Sequence, residues 1–97
     1  MSTTAEKLAE SLRDNGVRRI PGGPSLPYLE AWAQAGIEFV TVANEASAGI
    51  MADVSARITG VPGVCHATFG PGATNLSTGV GCAYLDRSPV LAFTTEH

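Results

Sequence analysis

At 97 residues the chain is one small domain or part of one, with no room for a second. An apolar fraction of 44% with only 15% charged residues argues for a buried core and against disorder. Six basic and nine acidic side chains, with no run of one sign, exclude the electrostatic footprint of a nucleic-acid or anionic-membrane binder.

The opening segment MSTTAEKLAESL lacks the basic start and apolar block of a signal peptide. Gly and Pro interrupt every apolar stretch before the roughly 20 residues that a membrane span needs. A cytoplasmic protein is the expectation. Thr3 and Glu6 have capping-box spacing, and Ala5, Leu8, Ala9 and Leu12 recur on one face of the helix they open, which Asn15-Gly16 ends. Val17 to Ile20 reads as a short strand and Pro21-Gly22-Gly23-Pro24 as a turn. Ser25 then caps a second helix through about Ala35, with Leu26, Leu29 and Ala33 inward and Gly36 as its stop.

Ile37 to Val42 has the β-branched and aromatic content of a strand, and Asn44 is placed to cap a long helix starting at Glu45. That helix carries Ala46, Ile50, Val54 and Ile58 at i, i+4 spacing, an exposed Asp53/Arg57 pair, and Gly60 as terminator. Val64 to Thr68 is a third strand. Gly70-Pro71-Gly72 turns the chain into a helix with Leu76, Val80, Ala83 and Tyr84 on one side, and Pro89 to Thr94 is the last strand. Helices alternating with short apolar strands predict an α/β fold of three layers, a mostly parallel sheet with helices on both faces. The chain stops at His97, just past a strand end where ligand sites of such sheets are built, so it reads as cut short.

Three constellations bear on chemistry. Glu45 stands in the first turn of a helix that follows a strand, where the helix dipole favours an acid by about 0.3 to 1 kcal/mol whether or not it has a further role. Its neighbours Val42, Ala43, Ala46 and Ala48 offer little water, surroundings in which a carboxyl can keep a shared proton. Gly70-Pro71-Gly72-Ala73-Thr74-Asn75 lets backbone approach a ligand under the free amides of the next helix. A phosphate cradle is one use of such a turn, but Asn75 stands where GxGxxG needs its third glycine and no Walker lysine follows. Pro21-Gly22-Gly23 alone is a turn. Cys65 and Cys82 are too far apart for CxxC and lack a histidine at ligand spacing, so both read as buried, reduced thiols. His66 reads as a satisfied core imidazole, and His97 as a mobile end.

Taken in order, IPGG (Ile20 to Gly23), NEASAGIMAD (Asn44 to Asp53), ARITG (Ala56 to Gly60), GPGATN (Gly70 to Asn75) and AYLDRSPVLAFT (Ala83 to Thr94) resemble the pyrimidine-binding (PYR) domain of thiamine-diphosphate enzymes. The likeness covers nearly the whole chain from Gly16 onward. It is nearest to acetolactate synthase large subunits, and Phe69 before the GPG turn is similar to pyruvate decarboxylases. The resemblance implies a partial PYR domain over residues 1–97, binding thiamine diphosphate. Its catalytic Glu45 would hydrogen-bond a ring nitrogen of the cofactor's aminopyrimidine and favour its imino tautomer. Pro21 and Gly22 would line that ring, and Gly72 and Asn75 would shape the pocket.

The resemblance further implies an incomplete cofactor site, with Mg²⁺ held only through a diphosphate-binding domain that this chain lacks. A 2-oxo acid would be the substrate once that domain, or a second enzyme chain, is in place. By itself the chain is expected to be inactive. Departures from the family pattern are a short first strand, Val54 and Ser55 where Gly and Tyr are common, and Glu96 in place of a Gln. A non-catalytic module that pairs with a full-length thiamine-diphosphate enzyme is a second reading. A small phosphate-binding protein using the Gly70 turn is a third.

Overall fold

The computed structural model describes residues 3–23, 26–68 and 70–94, with the backbone alone at 26 and 27. The expectations placed on Ser25, Phe69, Glu96, His97 and the Leu26 side chain fall outside these residues. Eight elements alternate: α1 (Thr4–Asp14), β1 (Arg19–Gly22), α2 (Leu26–Ala35), β2 (Glu38–Thr41), α3 (Glu45–Thr59), β3 (Gly63–Ala67), α4 (Pro71–Asp86) and β4 (Val90–Thr94). The four strands form one sheet in the order β2-β1-β3-β4, and every neighbouring pair is parallel.

Local chemistry sets the ends of the helices. Thr3 and Glu6 form the reciprocal capping box at α1, and the Asn44 side chain accepts from the Ala46 amide at the start of α3. Gly60 closes α3 in the left-handed conformation, and Pro71 opens α4 as a residue that loses nothing by lacking an N–H there.

The sheet is packed on both faces. On one side α1 and α2 bring Ala9, Leu12, Ala31 and Trp32 against Val17, Ile20, Ile37 and Val64. On the other, α3 and α4 bring Ala48, Ala52 and Leu76 against Cys65 and Ala67. Successive β3 residues therefore alternate between the two layers, as the twofold repeat of a strand requires. The outcome is the expected three-layer α/β sandwich.

Several details differ from the sequence expectation. β1 begins at Arg19, because the Val17 amide is engaged with Leu12 O at the end of α1, and it runs on through Pro21 and Gly22, which the sequence reads as a turn. Pro21 is tolerated in a central strand because β1 meets β3 only at Gly22↔His66. Gly23 donates to His66 O, so the alternate position 21 faces β3 as well, and it has no proton to give. The sheet stays open there, leaving a groove of about 470 Å³ lined by Val17, Pro21, Val40, Met51, Ser55 and Val64.

The inward faces of the helices also differ. Ala33 is exposed while Ala31, Trp32 and Ala35 are buried. Ile50, Val54 and Ile58 are exposed, and α3 buries Ala48, Gly49, Ala52, Asp53 and Ala56 instead. The reason is the crossing of α3 over α4, where a Cβ on Gly49 would lie 2.7 Å from the Gly79 Cα. Backbones this close admit only small residues between them, and the large ones turn outward. Tyr84 is likewise exposed. Asp53, expected at the surface, is 3% exposed and sits 3.4 Å from the half-exposed Arg57.

Candidate functional site

The chain order of the strands sets where a ligand can enter. From β1 the chain moves to β2 on one side, and from β2 it crosses back to β3 and then β4 on the other. The two directions part between β1 and β3, and the crevice outside their carboxyl ends is where open parallel sheets bind ligands. Gly22-Gly23 ends β1 there, Ala67-Thr68 ends β3, and α3 and α4 both begin beside them.

Glu45 occupies this crevice. The Asn44 cap fixes the first turn of α3 and so aims the partly buried carboxylate over the strand ends. One oxygen, Oε1, accepts from Asn75 Nδ2 at 3.3 Å. The other, Oε2, faces the gap between two glycines, 3.5 Å from a Cβ built on Gly23 and 3.3 Å from one built on Gly72. The same position on Gly72 is 3.0 Å from Thr68 Oγ1. Any side chain at Gly72 would crowd the carboxylate, so the two glycines form a cradle whose floor is backbone. Gly70 supplies the turn into α4 with φ of 73°, a conformation that L side chains rarely adopt.

Of the residues singled out from sequence, the structure brings Glu45, Gly72 and Asn75 together. Pro21 and Gly22 lie within β1, and Gly23 is the residue of that segment whose α-carbon faces Oε2. Sequence reasoning does not single out Gly23 and Thr68 for this crevice. Their signal is present, since each ends a strand at the point where the topology reverses, but the strand order is not readable from local sequence. Gly22 serves another purpose. A Cβ there would fall on the His66 carbonyl, so its absence allows β1 and β3 to close.

The two thiols separate. Cys65 is buried, and burial pushes its thiol up to about 11, whereas Cys82 is exposed on α4 and corrects the expectation that both are buried. His66 is wholly buried, with one ring nitrogen engaged and Nε2 without a partner among the described residues, so it is only half the satisfied imidazole expected. Among the described residues no three His, Cys, Asp or Glu gather as a metal would need, and no helix is long and apolar enough to cross a membrane.

Comparison with known proteins gives the family. Residues 2–97 match the family described as thiamine pyrophosphate enzyme, N-terminal TPP binding domain. The chain is 52% identical over 101 residues to an acetolactate synthase of Arthrospira platensis, covering 97% of this chain and 17% of that protein. A probable acetolactate synthase large subunit of Methanocaldococcus jannaschii is 43% identical, over 95% of this chain and 16% of that protein. A probable 2-ketoarginine decarboxylase of Pseudomonas aeruginosa is 38% identical, over 96% and 17% respectively. The chain thus spans about one-sixth of the length of these curated relatives. With the match running almost from end to end, the chain belongs to the thiamine pyrophosphate enzyme family and corresponds to its N-terminal, cofactor-binding domain.

Proposed function

We propose that this chain supplies the aminopyrimidine side of a thiamine-diphosphate site, with Glu45 as the carboxylate that hydrogen-bonds the ring and manages its proton. The observation that supports this reading is the Glu45 carboxylate itself, anchored through Oε1 by Asn75 and presenting Oε2 between Gly23 and Gly72. The residues fit the group, because two glycines beside a carboxylate leave room for a flat ring that side chains would fill. Bound thiamine diphosphate supplies the electron sink on which 2-oxo acids are decarboxylated or joined.

The protein's part is positional. Asn75 holds one Glu45 oxygen, so the other keeps its direction. Pro21 and Gly22 are assigned to the β1 wall of the same crevice, and Gly72 and Asn75 to the opposite one. Diphosphate and Mg²⁺ are assigned to a separate domain, carried by further sequence or by a second enzyme chain, and without it the chain is inactive toward a 2-oxo acid. The exposed Ile58, Tyr84 and Leu85 of α3 and α4, each more than three-quarters accessible, suit such a covering partner. A cytoplasmic location accompanies this reading.

Glu45→Gln in the assembled enzyme tests it. The glutamine keeps the shape and the Asn75 contact but cannot hold a proton for the ring. Deuterium exchange at the acidic carbon of the bound cofactor, followed by NMR, is expected to slow by about 10²- to 10⁴-fold. Exchange at the wild-type rate would remove Glu45 from the chemistry. It would leave the second reading, a non-catalytic truncated module pairing with a full-length thiamine-diphosphate enzyme, which the same exposed apolar residues also favour.

A further inference from the structure

Directly beneath the β1 exit lies His66, a fully buried residue in the central strand β3. Its ring is set among Trp32, edge-on with centroids 5.2 Å apart, Tyr28 at 5.8 Å and Phe39 at 6.4 Å. Two hydrogen bonds tie it to one residue of the crevice. The Gly23 amide donates to the His66 carbonyl at 3.0 Å, and His66 Nδ1 lies 2.9 Å from the Gly23 carbonyl oxygen. A carbonyl only accepts, so Nδ1 carries the proton and Nε2 is the bare nitrogen. Gly23 stands one residue beyond β1, and its α-carbon faces Glu45 Oε2.

A purely structural occupant of this aromatic cage would be apolar. An imidazole costs desolvation and leaves Nε2 without a partner among the described residues. What it adds is the bond to Gly23, which prolongs the β1–β3 pairing past the end of the strand and up to the carboxylate. We propose that His66 is a positioning residue for the cofactor site, its Nδ1–H holding the Gly23 carbonyl and through it the glycine wall that faces Glu45. The inference rests on the Glu45 reading above.

Among the described residues the elements around the ring offer no counter-ion for a second ring proton. The residues set against it from α2 are Tyr28 and Trp32, from β2 Phe39, and from β1 the Gly22 and Gly23 backbone, while Phe93 is its register partner on β4. Tyr28 is the titratable side chain among them. Burial lowers the His66 pKa, outweighing the bond to Gly23, which acts in the opposite direction. The clamp therefore works with a neutral ring.

The test uses three variants of the full chain, assembled with its diphosphate-binding domain. His66→Asn places an amide N–H where Nδ1–H stands, His66→Gln places it near Nε2, and His66→Leu fills space alone. Long-range ¹H–¹⁵N NMR of the wild type is expected to show the Nδ1–H tautomer between pH 6 and 8. Affinity for thiamine diphosphate with Mg²⁺ is expected to fall about tenfold in His66→Leu and His66→Gln, the equivalent of one hydrogen bond. His66→Asn restores it. An Nε2–H tautomer in the wild type overturns the proposal even if a variant fails to fold, as does wild-type affinity in His66→Leu. If Glu45→Gln behaves as wild type while the tautomer and the variant order stand as stated, the Glu45 reading fails and the His66 clamp survives. Absence of cofactor binding by the assembled wild type sinks both.

Discussion

Glu45 is where it is because of the residue before it. Asn44 adopts an extended backbone and its side-chain oxygen takes the Ala46 amide at 2.8 Å, so α3 starts one residue later with the acid in its first turn. Asn44→Ala should cost about 0.5 to 2 kcal/mol in denaturant unfolding, since an orphan donor is left at the helix end. His66 gives the pH dependence its sign. Its folded pKa is lowered below the ordinary 6.5, so the unfolded chain binds the proton more readily. The stability it confers is fully present above about pH 6.5 and is lost as the pH falls through the folded value. Melting temperature should drop on that acid limb in the wild type, and the drop should be shallower in His66→Leu, whose leucine has no proton to gain.

At the scale of elements, the close crossing of α3 and α4 decides which residues face inward. Gly79→Ala should destabilise by about 1 to 3 kcal/mol, because its Cβ would press on the Gly49 backbone. Gly81→Ala, two residues along the same helix with open space around it, should instead stabilise by up to about 1 kcal/mol. Thermal melts of the pair would show opposite shifts. The same crossing explains what is legible in the sequence. The caps at Thr3 and Asn44, the stop at Gly60 and the turn at Gly70 are readable because each depends on residues within one turn of chain. The inward face of α3 is not, since the larger residues Ile50, Val54 and Ile58 mimic a core stripe while Ala48, Ala52 and Ala56 do the packing. Pro21 hides the true extent of β1 because its compatibility with a strand depends on where β3 stops pairing. Glu45, Gly72 and Asn75 are legible as a group through the family resemblance. Gly23 and His66 are not, since only the β2-β1-β3-β4 order brings β3 beneath the β1 exit.

For the whole molecule, a doubly wound sheet gathers two strand ends and two helix starts at one crevice, and the relatives of this chain are about six times longer than the part it matches. On the proposed reading the chain's own residues line the aminopyrimidine side of the site, and a partner domain covers α3 and α4 and brings the diphosphate anchor. The most direct test is an amide-resolved NMR titration of the assembled protein with thiamine diphosphate and Mg²⁺. Shifts centred on Gly23, Glu45, Gly72 and Asn75 are the predicted result. Shifts centred instead on the groove by Val17, Met51 and Ser55, whose lining includes none of these four residues, would contradict the account.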